Sequence, residues 1–190
     1  MAAFDSLKIS EEFLETLPKR VRDVMERRFG IGKSKERKTL EAIGAAYGIT
    51  RERVRQIEAH GLKKLRGHEF MKERRDVFES LKSELSKRGG IAEEENFLTT
   101  LSSSPAEKNH LRFLLTLAED FKRHKEDEEF RPRWSVDDKL AAACHETLRV
   151  LHKELAGQEP LEARELKAKL ASAAQNNLGA ALSDEALDSW

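Results

Sequence analysis

Residues 39–66 read TLEAIGAAYGITRERVRQIEAHGLKKLR, and this stretch decides how the chain folds. Leu40, Ile43 and Tyr47 recur at helical spacing, which predicts a short first helix with one apolar face. Gly44 falls within that helix, where glycine costs about 1 kcal/mol relative to alanine. We explain this cost by predicting that a second helix crosses so close by that a side chain at Gly44 would collide with it.

A turn and a second helix follow. Gly48 supplies the positive φ that a tight reversal often needs, and Thr50 is a suitable N-cap residue for the next helix. The apolar stripe of that helix consists of Val54, Ile57, Leu62 and Leu65. Together these features predict a helix-turn-helix.

The second helix keeps four polar side chains on its outer face, within its first two turns. They are Arg51, Glu52, Arg55 and Gln56. The major groove of DNA admits an α-helix, and its base edges are read by Arg at guanine, Gln at adenine and Glu at cytosine. We therefore predict that these four residues read DNA bases. The simpler alternative is a solvated charged face on an ordinary helical hairpin.

A basic loop, GIGKSKERK, precedes the helix-turn-helix at residues 30–38. The phosphate-binding pattern GxxxxGK[ST] is absent from it, which argues against nucleotide binding. We expect its cations to lie against DNA phosphates, beside a helix N-terminus at Thr39 that itself favours an anion. A solvated surface loop is the alternative. The cations are Lys33, Lys35, Arg37 and Lys38.

Two segments, LPKRVRDVMERRFGIG and ITRERVRQIEAHGLKKLR, resemble regions 4.1 and 4.2 of the sigma-70 family of bacterial RNA polymerase sigma factors. The resemblance spans roughly residues 14–67 and implies binding to the promoter −35 element. It implies double-stranded DNA and the RNA polymerase core as partners. It also implies base reading by Arg51, Glu52 and Gln56, with Arg55 beside them. The expected phosphate contacts are Arg20, Arg28 and Thr39, together with Arg53 and Lys63.

The sequence departs from this family in two ways. His60 stands where the family usually has lysine, and Gly61 stands where it has alanine. Sigma regions 2 and 3, which bind the polymerase clamp and melt the −10 element, have no counterpart in the sequence. On its own, the chain is therefore not expected to open a promoter.

The second half of the sequence predicts helices around one small β-hairpin. Elements are expected in the order helix 69–87, helix 91–101, helix from residue 105, hairpin 121–136 and helix 137–155. This order, with NHLRFLLTLAEDFKRH and FRPRWSV, resembles the HARE-HTH winged-helix domain of the RNA polymerase delta subunit and chromatin proteins. The resemblance implies an interaction module. We expect domains at 1–88 and 89–157, with 158–190 a degenerate second helical unit or a truncated end.

Composition restricts the class of protein. Charged residues make up 37% and aromatic residues 6% of the chain, which favours a mainly all-α fold. Residues 1–90 hold 22 Lys and Arg against 15 Asp and Glu, whereas residues 91–190 hold 13 against 20. DNA is therefore expected on the first half. Two alternatives stay open. One is a stand-alone repressor or activator that never contacts polymerase, and the other is an interaction adaptor whose acidic half masks the basic half or binds a basic partner.

The sequence does not predict a catalytic, metal or cofactor site. The single cysteine, Cys144, is expected in the core, and the six histidines lack the clustering of a metal site. We predict no catalytic residue, metal or cofactor, and therefore no enzyme. The sequence has no secretory signal and no apolar run of about 18 residues. It is expected to be cytoplasmic and nucleoid-associated, and its oligomeric state stays open.

Overall fold

A computed structural model describes residues 4–32, 35–179 and 181–190. The chain forms two compact units, each built from two segments. Unit 1 comprises Met1–Leu81 and Leu98–Glu119, and unit 2 comprises Lys82–Phe97 and Asp120–Trp190. The predicted module 89–157 contributes residues to both units, and the predicted domain boundary after residue 88 stays a prediction.

The described residues form helices and three short strands. The first elements are α1 (Ser6–Glu15), α2 (Lys19–Phe29), α3 (Leu40–Tyr47), α4 (Arg51–Arg66), α5 (Phe70–Glu73) and α6 (Arg75–Lys87). They are followed by β1 (Ile91–Glu93), α7 (Glu94–Leu101), α8 (Pro105–Leu117), β2 (Lys122–His124) and β3 (Arg133–Ser135). The last elements are α9 (Asp138–Leu155), α10 (Ala163–Leu178) and α11 (Asp184–Leu187). The predicted fold class, mainly α with a helix-turn-helix and a small hairpin, is confirmed.

The core of unit 1 is built where α1 and α2 meet α8. Phe13 of α1 is fully buried, and the ring of Phe29 in α2 meets that of Phe113 in α8 edge-on, with centroids 5.2 Å apart. Burying an aromatic or aliphatic side chain of this size stabilises the fold by about 1.5–3 kcal/mol. The apolar residues that recur at helical spacing in α1, α2 and α8 thus form the core that supports the helix-turn-helix.

The strands form a three-stranded antiparallel sheet in the order β1-β3-β2. Ile91 pairs with Ser135, and Arg123 pairs with Trp134. The predicted hairpin is confirmed, but the predicted helix over 91–101 is wrong in its first three residues. Ile91 and Ala92 are buried in the strand β1, and the pairing with β3 overrides their local helical pattern. The helix begins only at Glu94.

The predicted helix over 69–87 is also divided. Arg74 has φ −102° and ψ 22°, outside the helical region, and separates α5 from α6. Its guanidinium donates to Glu12 of α1 at 2.6 Å. A single non-helical residue leaves the apolar spacing on both sides unchanged, so the sequence pattern does not register the break.

In unit 2, Cys144 on α9 lies in a core cluster with Ile91 and Ala141, as predicted. Burial raises the pKa of its thiol to about 12, so the group stays protonated. Among the described residues, no helix combines the length and apolarity needed to cross a membrane.

Candidate nucleic-acid interface

The turn of the helix-turn-helix is set by two glycines. A Cβ built on Gly44 would lie 2.6 Å from the carbonyl oxygen of Ile49, so only glycine allows this approach of the chain. Gly48 ends α3 in the left-handed region, at φ 63° and ψ 34°. Behind the turn, Val24, Ile43 and Val54 form a buried cluster. Gly48 has its predicted role, whereas a side chain at Gly44 would collide with the backbone of the turn rather than with a second helix as predicted.

The recognition helix α4 starts at a well-formed N-cap. The hydroxyl of Thr50 accepts a hydrogen bond from the Arg53 amide at 3.2 Å, which satisfies one of the free N–H groups at the helix start. Arg51, Glu52 and the other predicted base readers are all exposed, whereas Val54 between them is buried. The structure therefore brings the predicted base-reading set together on one accessible surface.

These side chains bond to one another in the free protein. The Arg55 guanidinium donates twice to the Glu52 carboxylate, at 2.8 and 2.7 Å. This hydrogen bonding lowers the pKa of Glu52 and raises that of Arg55. Arg53 donates to the side-chain amide oxygen of Gln56 at 3.1 Å. Exposed pairs contribute about 0–1 kcal/mol, so a base edge or a phosphate can replace these contacts at low cost.

Arg51 has a partner that the sequence analysis did not anticipate. It pairs with Glu41 of α3, across the turn, at 3.0 Å. Glu41 lies one residue after the start of α3, a position that sequence alone marks only as an acidic residue in a first turn. Both side chains of the pair stay largely exposed, so Arg51 remains accessible on the outer face.

Arg20 of α2 borders the recognition helix. It lines a cleft of about 390 Å³ together with Arg53, Gln56 and His60 of α4. Its guanidinium lies 5.6 Å from the ring centre of Tyr47, within the range of a cation–π contact. The predicted phosphate contact Arg20 thus lies beside Gln56 and Arg53, so α2 and α4 contribute to one surface.

Tyr47 and Asp23 form a small polar cluster behind that surface. The Tyr47 hydroxyl donates to the Asp23 carboxylate, which also accepts from Arg27 at 2.7 Å. Burial raises the pKa of Asp23, but the two hydrogen bonds outweigh it and the net pKa is lowered. Sequence reasoning placed Tyr47 on an apolar face only. The i,i+4 spacing of Asp23 and Arg27 predicts an ion pair on α2, and it was the sequence signal that could have indicated this cluster.

Arg28 is half-buried, unlike Arg20, the other predicted phosphate contact in α2. It donates to Glu58 of α4 at 3.2 Å and to the carbonyl of Lys38 at 3.3 Å. These bonds tie α2 both to the recognition helix and to residues 35–38 of the basic loop, which we call the basic segment. Arg28 therefore has a structural role in this surface, and its phosphate contact stays a prediction.

The basic segment lies next to the N-terminus of α3. Lys35 and Arg37 are exposed, and Lys38 pairs with Glu36 at 2.7 Å. The Thr39 hydroxyl accepts from the Ala42 amide at 3.1 Å and caps α3. The remaining predicted contacts are Lys63, which is exposed near the end of α4, and Lys33, which lies outside the described residues.

Metal chemistry finds no support in the described residues. No group of three His, Cys, Asp or Glu side chains lies close enough to hold a metal ion in that part of the chain. The predicted base readers themselves present two guanidinium groups, one carboxylate and one side-chain amide at the start of α4.

Comparison with known proteins agrees with this geometry. Residues 13–67 match the family model described as Sigma-70, region 4. Similar proteins include the RNA polymerase sigma factor SigA of Listeria monocytogenes, of Listeria innocua and of a Bacillus species. Each is 44% identical over 79 residues, which cover 41% of this chain and 21% of the relative. The chain thus spans about a fifth of the length of these curated relatives.

The resemblance to the winged-helix domain of the polymerase delta subunit stays a prediction, and the observed order α6-β1-α7-α8-β2-β3 contains one strand, β1, that was not expected. The other predicted resemblance is confirmed by the match and by the turn geometry together. Residues 13–67 form a sigma-70 region 4 helix-turn-helix, a DNA-binding and non-enzymatic domain of transcription factors.

Proposed function

We propose that the chain binds double-stranded promoter DNA of the −35 type through α4. The observation that carries the proposal is the exposed set Arg51, Glu52, Arg55 and Gln56 at the capped start of the helix. Each side chain type has a matching base edge in the major groove. Such a helix, entering the groove N-terminus first, reads bases with its first two turns.

The charge around α4 supports the same proposal. From residue 19 to residue 66 the sequence has 15 Lys and Arg against 6 Asp and Glu. A surface of this sign attracts the phosphate backbone and releases counterions from it. In the proposal, Arg20, Arg53 and Lys63 contact phosphates beside the groove. Lys33, Lys35, Arg37, Lys38 and Thr39 do so from the basic loop, and Arg28 from α2.

The proposed protein partner is the RNA polymerase core, because the relatives that share this domain are RNA polymerase sigma factors. The protein then acts at promoters in the bacterial nucleoid. A stand-alone repressor or activator uses the same DNA surface without polymerase. An interaction adaptor uses neither.

Two experiments test the proposal with the full chain. Selection from a random duplex library is expected to enrich a −35-like motif, with SigA of Listeria monocytogenes selected in parallel as reference. Mixing the chain with purified core polymerase is expected to give a complex on gel filtration. An enriched motif without a complex favours the stand-alone regulator. A library that shows no enrichment contradicts the DNA-reading proposal.

A further inference from the structure

The helix α8 lies outside residues 13–67 but packs within unit 1, and its side chain Asn109 contacts the basic segment. Asn109 is 8% exposed. Its amide nitrogen donates to the carbonyl of Gly30 at 3.2 Å and to that of Lys35 at 2.9 Å. Its amide oxygen accepts from Arg112 at 3.1 Å. Two of these three hydrogen bonds therefore connect α8 to the backbone at Gly30 and at Lys35.

The C-terminal end of the basic segment, at Lys38, is hydrogen-bonded to α2. The Lys38 amide donates to the carbonyl of Arg27 at 2.8 Å, and Arg28 donates to the Lys38 carbonyl. The backbone that carries Lys35, Arg37 and Lys38 is thus held on one side by α2 and on the other by Asn109. A segment held in this way loses less backbone entropy when its cations meet an anion than an untethered segment would.

The helix α8 also contacts the recognition helix. Arg66, the last residue of α4, donates to the carbonyls of Thr116 and Leu117 at 2.9 Å each. These carbonyls belong to the last turn of α8, where intrahelical partners run out. The same helix therefore supports the basic segment through Asn109 and the end of α4 through its own C-terminus.

We propose that Asn109 is a positioning residue for DNA binding, and that α8 is an integral helix of the DNA-binding unit in this chain. Asn109 touches no DNA in this view. It sets the position of Lys35, Arg37 and Lys38 against the phosphates. The inference rests on the proposed function that the helix-turn-helix binds duplex DNA.

The test uses the full chain with Asn109→Leu, which removes all three hydrogen bonds and keeps a side chain of similar size. Affinity for a selected duplex and for a scrambled duplex is measured at several salt concentrations. Both affinities are expected to fall by the same factor, on the order of tenfold at low salt. The slope of log affinity against log salt is expected to shrink by about one to two, because phosphate contacts are lost.

A matched control is Ser10→Ala, which removes a buried hydrogen bond from Ser10 to the Ser6 carbonyl in the same unit. It is expected to lower the melting temperature and to leave the salt slope unchanged. The milder Asn109→Ser is measured as well, in case Asn109→Leu unfolds. A second control places Asn109→Leu on a background with Lys35, Arg37 and Lys38 replaced by alanine. A positioning role predicts no further loss of affinity there.

The outcomes separate this inference from the proposed function. A wild-type chain that does not bind duplex DNA overturns both. If the wild type binds and a folded Asn109 variant keeps the wild-type salt slope, the positioning role is wrong and the proposed function stands. The same holds if the ratio of selected to scrambled affinity falls while the slope is kept, because Asn109 would then act on α4 rather than on the basic segment.

Discussion

Glu52 places a negative charge on the face that we assign to a polyanion, and this makes its substitution informative. Glu52→Ala is expected to raise affinity for arbitrary duplexes, because it removes repulsion from phosphates and frees Arg55. It is also expected to relax base preference by about 1–3 kcal/mol per base pair. Arg51→Ala and Gln56→Ala should relax preference similarly but lose affinity.

Selection and competitive anisotropy with each variant measure both quantities. The control is Glu79→Ala, which removes an exposed carboxylate paired with Arg75 on α6 and should leave DNA preference unchanged. Wild-type preference in all three α4 variants would show that these side chains do not read bases.

Arg20 and Arg28 belong to the same predicted phosphate set but lie in different surroundings. Arg20→Ala is expected to weaken binding to all duplexes alike, with the salt slope reduced by about one. Its effect on unfolding free energy should stay near 0.5 kcal/mol, roughly the limit for an exposed position. Arg28→Ala is expected to weaken binding and also to destabilise the fold by about 1–3 kcal/mol. It leaves Glu58 and the Lys38 carbonyl without their donor.

Urea denaturation alongside salt titrations measures the difference, with exposed Lys72→Ala as the control. Equal stability of the two arginine variants would mean that the bonds of Arg28 contribute little to the fold.

At the scale of elements, the turn between α3 and α4 depends on a close approach of two backbone segments. Gly44→Ala is expected to destabilise unit 1 by about 1–3 kcal/mol despite its better helix propensity, because the added methyl meets the Ile49 carbonyl at 2.6 Å. Exposed Ala46→Gly in the same helix is the control and should cost about 1 kcal/mol through propensity alone. Denaturation midpoints measure both, and a Gly44→Ala protein as stable as wild type would contradict the close approach.

The sequence predicts this element well because its signals are local. Gly44 and Ile49, or Thr50 and Arg53, are separated by only a few residues, and each contact has its own steric or capping signature. The support from α8 has no such signature. Asn109 bonds to Gly30 across 79 positions, and a polar residue on an apolar helix face predicts no particular partner. The strand β1 was missed for the same reason, since its pairing partner β3 lies some 40 residues away.

At the scale of the whole molecule, the two units differ in the sign of their net charge. Unit 1 holds 21 Lys and Arg against 16 Asp and Glu, whereas unit 2 holds 14 against 19. The sequence predicted this asymmetry by halves, but not that residues 98–119 belong with the basic unit. The excess of carboxylates makes unit 2 a poor surface for a polyanion and leaves DNA binding to unit 1.

Unit 2 contains a buried histidine that should make its stability depend on pH. The Nε2 of His145 accepts a hydrogen bond from Arg133 at 2.5 Å, which requires the neutral imidazole. Burial first, and then the charges of Arg133, His124 and Arg149, lower its pKa from 6.5 to about 4, against a smaller opposing effect of Asp127. Burial and Arg133 also lower the pKa of His124.

Because the folded pKa of His145 is depressed, the unfolded state binds more protons between about pH 6.5 and pH 4, and the stability of unit 2 decreases as the pH is lowered through that window. The full effect is about 3 kcal/mol. Both tryptophans, Trp134 and Trp190, lie in unit 2, so their fluorescence in urea reports unit 2 selectively. His145→Gln, whose amide oxygen still accepts from Arg133, should flatten the dependence, while exposed His152→Gln should preserve it. A wild-type midpoint that does not change from pH 7 to pH 4.5 would show that His145 is protonated without cost.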